Sequence, residues 1–152
     1  TYTKISKTPI PKPDLTIGNW TFTKQPNGDI KYLLEYKNVG NTPLTPPYAL
    51  GFRVIKSGAS TIPLQLNTIV DNGYPQKIEG DFVVVRFENT QYADLVNYAI
   101  QDGSSKYISG VISKSMIDQG AANLQVTLDY DNVVSEKYEL DNLWSQQLYQ
   151  YK

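Results

Sequence analysis

Apolar and polar residues alternate with a period of two along most of this chain, the spacing that buries one face of a β-strand. Ile30, Tyr32, Leu34 and Tyr36 share one face of a stretch whose other face carries Lys31, Glu35 and Lys37, with Leu33 as an apolar exception. Tyr48, Leu50, Phe52 and Val54 repeat the rhythm, and Leu124, Val126, Leu128 and Tyr130 alternate against Asn123, Gln125, Thr127 and Asp129. Leu15 and Ile17 have one parity and Trp20 and Phe22 the other, so Gly18 between them predicts a bulge that resets the phase. Residues 82–87 are almost continuously apolar, as in a strand covered on both faces. Further strands are expected over residues 60–70, where Pro63 suits an edge, near 106–112, and over 143–151. Turn chemistry separates them at Gln25–Asp29 with its Asn27-Gly28 pair, at Asn38–Asn41, at Lys56–Ala59 and at Asp71–Pro75.

One segment changes period. Tyr92, Leu95, Val96, Ala99 and Ile100 fall at helical spacing, with Asn89 or Thr90 able to cap the start and Asp102-Gly103 able to stop it. A helix of about residues 90–101 is therefore expected, with a helical turn near 114–119. The fold class that follows is all-β: a two-sheet antiparallel sandwich with one short inserted helix. Residues 1–13, with Pro9, Pro11 and Pro13 among Lys4, Lys7 and Lys12, read as an extended arm or linker, and residues 14–152 as one domain.

Composition narrows the function more than it identifies it. The 152 residues include no histidine and no cysteine. A Ser-His-Asp triad, a cysteine nucleophile, a thiolate zinc site and a disulfide are all excluded. Lys and Arg number 14 against 15 Asp and Glu, so the basic excess expected of a nucleic-acid binder is missing. No apolar run approaches membrane-spanning length. Charged residues make up only 19% of a chain rich in Tyr, which suits an extracellular setting.

The run from Val126 to Asn142 crowds a turn with side-chain oxygens. This run resembles the end of a CARDB-type domain, the "cell adhesion related" immunoglobulin-like domains of bacterial and archaeal surface proteins. Asp129, Asn132, Val134, Glu136, Glu139 and Asn142 fall in register with the family's closing pattern, and Asp141 replaces the first of its paired Asn residues. Pro13-Asp14-Leu15 and Asn38-Val39-Gly40 match its opening strand and the end of its second strand. The resemblance brackets residues 13–142 and covers about half of them; residues 60–118 are longer than the family leads one to expect. It implies an immunoglobulin-like, non-catalytic surface module, an accessory domain in adhesins, secreted enzymes or envelope proteins, with no common ligand.

Two readings of the oxygen-rich turn remain open. Asp129, Asn132, Glu136 and Asn142 can accept loop N–H groups that the ladder has left, with Val133 or Val134 plugged into the core. No cofactor is expected unless, alternatively, Asp129, Asp131, Glu136, Glu139 and Asp141 supply hard oxygen ligands for Ca²⁺, although the spacing is not that of an EF-hand. Trp20, Trp144, Tyr149 and Tyr151 are candidates for an aromatic binding platform, and Asn19-Trp20-Thr21 is a glycosylation acceptor pattern at Asn19. Ser104-Ser105-Lys106 and Ser113-Lys114-Ser115 place hydroxyls beside lysines, which exposed loops explain better than a Ser-Lys catalytic pair.

The function expected is adhesion or binding at the cell surface or outside the cell, through protein partners or self-association by edge-strand pairing. The alternatives are a structural subunit of an extracellular filament or virion-like assembly that uses the N-terminal arm, and a carbohydrate-binding accessory module. Neither nucleic acid nor membrane insertion is expected of this chain.

Overall fold

The computed structural model describes residues 12–58, 60–71, 74–87, 100–130 and 143–151. Among the described residues eight strands run in the order β1 (Leu15–Lys24), β2 (Ile30–Asn38), β3 (Tyr48–Lys56), β4 (Gln76–Glu79), β5 (Phe82–Phe87), β6 (Ser105–Ile112), β7 (Ala121–Leu128) and β8 (Leu143–Gln147). One α-helix, α1 (Lys114–Asp118), separates β6 from β7, and a 3₁₀ turn over Tyr149–Tyr151 follows β8. A three-stranded sheet, β1-β2-β6, faces a five-stranded one, β4-β5-β3-β7-β8, and every pairing is antiparallel. β1, β2 and β6 take the places of strands A, B and E of an immunoglobulin-like sandwich, and β3, β7 and β8 those of C, F and G; β4 and β5 extend the second sheet beyond C.

The two-residue rhythm places the core between the sheets. Ile30, Tyr32, Leu34 and Tyr36 of β2 point inward with Leu50, Phe52 and Val54 of β3 and Leu124, Val126 and Leu128 of β7, all of them buried. With no cysteine to bridge the sheets, aromatic rings fasten them. Tyr32 meets Phe52 at 6.3 Å between centroids; Tyr36 meets Tyr48 at 6.3 Å and Phe87 at 6.4 Å. Such contacts add about 0.5–1.5 kcal/mol each beyond the area they bury.

The Pro13–Leu15 and Asn38–Gly40 segments meet in one joint. Asn38, fully buried, accepts from the N–H groups of Asp14 and Gly40 at 3.0 Å each, and its amide donates to the carbonyls of Thr42 at 2.7 Å and Ile100 at 3.1 Å. The Val39 N–H donates to the Asp14 carbonyl at 2.8 Å. A Cβ on Gly40 would stand 2.2 Å from the Lys12 carbonyl oxygen, so only glycine lets the two segments approach this closely. Residues 1–11 of the expected arm lie outside the described residues.

Several expectations are corrected. Residues 60–70 do not form a strand: Thr61 makes one isolated bridge to Ile55, and the chain then turns. Ile62, Ile69 and Val70 are buried singly there rather than along one strand face. The segment 143–151 is a strand only to Gln147; Leu148 drops into the core, and the Tyr151 N–H closes the 3₁₀ turn on its carbonyl at 3.0 Å. Tyr130 does not continue the inward face of β7. Asp129 adopts φ +49°, which swings Tyr130 to the outer side of the five-stranded sheet, over Gly51 and 5.1 Å from the Phe82 ring. The helix expected at about 90–101 lies mostly outside the described residues. Its last apolar member, Ile100, is extended, exchanging both main-chain hydrogen bonds with Leu44 at 2.8 Å.

Candidate functional site

The sandwich has four strand edges, and they differ in what covers them. β4 has four residues and β8 five. The outer edge of β6 is met by the segment that ends at Asp71: the Asp71 N–H donates to the Ser109 carbonyl at 3.0 Å, and Ser109 Oγ donates to the Asp71 carboxylate at 2.6 Å. β1, with ten residues, is the longest edge, and among the described residues no strand pairs with its outer side.

The direction of each β1 main-chain group follows from the hairpin. Pro26, Asn27 and Gly28 form a three-residue loop with Gly28 at φ +93°, closed by Gly28 N–H to the Gln25 carbonyl at 3.0 Å. The Gln25 N–H donates to the Asp29 carbonyl at 2.7 Å. Antiparallel pairs alternate between bonded and non-bonded, so Thr23 with Lys31 and Thr21 with Leu33 are bonded pairs. The pairs Lys24 with Ile30, Phe22 with Tyr32 and Trp20 with Leu34 are non-bonded, and β1 presents their main-chain groups outward. The far end agrees: the Val39 N–H bonds to Asp14, which keeps the odd residues of β2 facing β1.

The bulge expected at Gly18 is present. The register steps between Ile17 with Tyr36 and Trp20 with Leu34, leaving one extra residue on β1. A carboxylate holds it. Glu35, on the central strand and buried, accepts from the Asn19 N–H at 2.9 Å, Ser105 Oγ at 2.9 Å and Tyr107 Oη at 3.0 Å. Gly18 makes room: a Cβ there would lie 1.9 Å from Glu35 Oε1. The Asn19 N–H first, then the two hydroxyls, hold the Glu35 carboxyl below its usual 4.5. The hydrogen bond to that carboxylate pushes the Tyr107 phenol above its usual 10. Because the bulge slips the register between Ile17 and Trp20, the regular outward ladder begins only at Trp20.

Of the expected aromatic platform, the structure unites part. Trp20 lies 5.3 Å from Phe22, and Phe22 stacks on Tyr151 at 5.1 Å, forming a seam where β1 meets the carboxyl-terminal turn. Trp144 sits on β8 opposite Val126, and it, Trp20 and Tyr151 are half-buried against the core. Tyr149 stands apart, 66% exposed. Asn19 is exposed at the bulge, directly beside the free edge. Asp129 is buried at the end of β7, whereas Asp131, Asn132, Val134, Glu136, Glu139, Asp141 and Asn142 lie outside the described residues. Among the described residues no group of three acids is arranged to hold a metal, and no helix is long and apolar enough to cross a membrane.

Sequence reasoning missed the roles of Glu35, Ser105 and Tyr107. Glu35 reads as one charge among lysines on a solvent face, and only the pairing of β2 with β6 sets it beside Tyr107. The phase reset at Gly18 was the available signal, since a bulge frees an N–H that needs an acceptor.

No protein-family model matches the sequence, and no curated protein matches it. Among solved structures, the chain is similar to the CARDB domain of a Pyrococcus furiosus protein, described as a complex with di-metal ions. Identity is 16%, 97% of this chain and 96% of that one are covered, and the TM-score is 0.49. It is also similar to part of a GH20 exo-β-N-acetylglucosaminidase from Vibrio harveyi at 13% identity and TM-score 0.40; the match covers 90% of this chain and 17% of that enzyme.

Proposed function

We propose that this chain is a non-catalytic binding module that acts at the cell surface or in an extracellular assembly and joins protein partners by accepting a strand along β1. Strand addition draws its affinity from main-chain hydrogen bonds and its selectivity from the side chains on either side of the ladder. The observation that carries the reading is the outward display of the Trp20, Phe22 and Lys24 main-chain groups on the longest edge. The lack of histidine and cysteine, and a net charge of −1, support binding of protein rather than acid–base chemistry or nucleic-acid recognition.

Beads coated with the protein should adhere to one another or to cells and matrix of the source organism. Lys24→Pro removes an outward donor and places a ring on the edge without touching the bonds to β2. Adhesion that survives this change at full strength would refute the use of β1.

A further inference from the structure

The geometry points to a second copy of this chain as the occupant of the β1 edge, paired antiparallel about a two-fold axis at Phe22. This inference rests on the reading of β1 as the binding edge and adds the identity and register of the partner.

The register follows from which groups face outward. Trp20, Phe22 and Lys24 present main-chain groups away from β2, while Asn19 gives its N–H to Glu35. A neighbouring strand can therefore form bonded pairs only with those three residues on the regular side of the bulge. When the neighbour is β1 itself, the overlap is greatest with Phe22 opposite Phe22 and Trp20 opposite Lys24. Each bonded pair contributes two hydrogen bonds, about six in all. Shifting the axis to Thr21 or Thr23 loses one bonded pair, and a slip by one residue sets outward groups opposite residues whose own main-chain groups face β2.

The side chains in this register complement themselves. On the solvent face, Thr21 lies opposite Thr23 of the other copy, an exposed hydroxyl pairing of a kind that stabilises sheets. On the other face, Lys24 lies opposite Trp20, placing a cation beside an indole, and no like charges meet. The two Phe22 rings meet at the axis, continuing the Trp20–Phe22–Tyr151 seam across the interface. Trp20 and Phe22 are half-exposed in the single chain, and the second copy covers their open sides. A closed two-fold pairing also removes this edge from both copies, so association stops at the dimer.

The test is sedimentation equilibrium of the full chain from about 1 µM to about 1 mM, a span that covers the affinities expected of a small interface. The wild-type mass should rise from the 17.1 kDa of one chain towards twice that value. T21K/T23K and T21E/T23E each set like charges opposite one another across the axis while changing only exposed positions, and both should remain monomeric with wild-type circular dichroism. An equimolar mixture of the two variants should recover the dimer. A wild type that stays monomeric throughout, or T21K/T23K that dimerises as the wild type does, overturns the inference. In the monomeric case, adhesion still abolished by Lys24→Pro would keep β1 as an edge for a different protein, whereas a dimer insensitive to both changes would sink the edge reading too.

Discussion

Proline substitution along β1 provides a direct measure of which main-chain groups the sandwich uses and which it leaves for a partner. Thr23 pairs with Lys31 as a bonded pair, and Lys24 with Ile30 as a non-bonded one. Thr23→Pro deletes an N–H that the β2 carbonyl of Lys31 needs. The lost bond costs about 1 kcal/mol and the stranded carbonyl about 1–3 kcal/mol more, roughly 2–4 kcal/mol together. For a chain of this length each kcal/mol moves the midpoint by about 2–4 °C, so Thr23→Pro should melt roughly 5–15 °C below the wild type.

Lys24→Pro removes only an outward N–H at an exposed position on the edge. A proline whose N–H side faces solvent is tolerated in an edge strand, and the expected change is within about 1 kcal/mol. Urea unfolding of dilute protein followed by far-ultraviolet circular dichroism gives both values; the slope m should stay constant, because neither change alters the surface exposed on unfolding. Equal losses for the two substitutions, or a larger loss for Lys24→Pro, would refute the assigned parity of β1, and the proposed use of that edge would fall with it.

Glu35 confers a pH dependence of known sign. Its folded carboxyl titrates below the usual 4.5, so its stabilisation is complete above that pH and is lost as pH falls below it; Tyr107, raised above 10, contributes below pH 10 and loses that contribution above it. Melting temperature against pH should therefore show an acid limb that is shallower in Glu35→Gln, and identical acid limbs would contradict the clamp. Phe52→Ala removes a fully buried ring that meets Tyr32 across the sheets and should cost about 3–5 kcal/mol in urea unfolding. Gly110→Ala would place a methyl 1.8 Å from the Ile69 carbonyl oxygen, which Tyr32 Oη contacts at 2.5 Å. It should destabilise by about 1–3 kcal/mol through overpacking, and Tyr32→Phe in the same background should not restore the loss, because the main-chain oxygen still obstructs.

The sandwich was legible because the inner face of each sheet is buried, and period two survives in the strands whose other face meets solvent. β2 alternates as its sequence says, apart from the buried Glu35, and even the phase slip at Gly18 could be read as a bulge, whereas β3 is buried on both faces from Tyr48 to Phe52. The misreadings fall where a local conformation overrides periodicity. Tyr130 keeps the parity of Leu128, yet one left-handed residue at Asp129 carries it to the opposite face. β4 escaped notice because Gln76–Glu79 is a short edge with polar positions and a half-exposed Ile78, so burial leaves no trace in it.

The candidate site was harder to read for a different reason: it is built from main-chain groups. Edge pairing depends on which N–H groups point outward, and any residue except proline carries the same donor. Thr21, Phe22 and Thr23 look alike as a strand whether they lie in the middle of a sheet or at its rim. The parity of β1 became visible only through a three-residue loop that sets the first bonded pair and a bulge that ends the regular ladder. Glu35 ties the two together. By holding the bulge it fixes where the register slips and so leaves Trp20–Lys24 as the regular edge, a length at which self-pairing has one best register. A carboxylate that reads in the sequence as a solvated charge therefore determines where a second strand can begin.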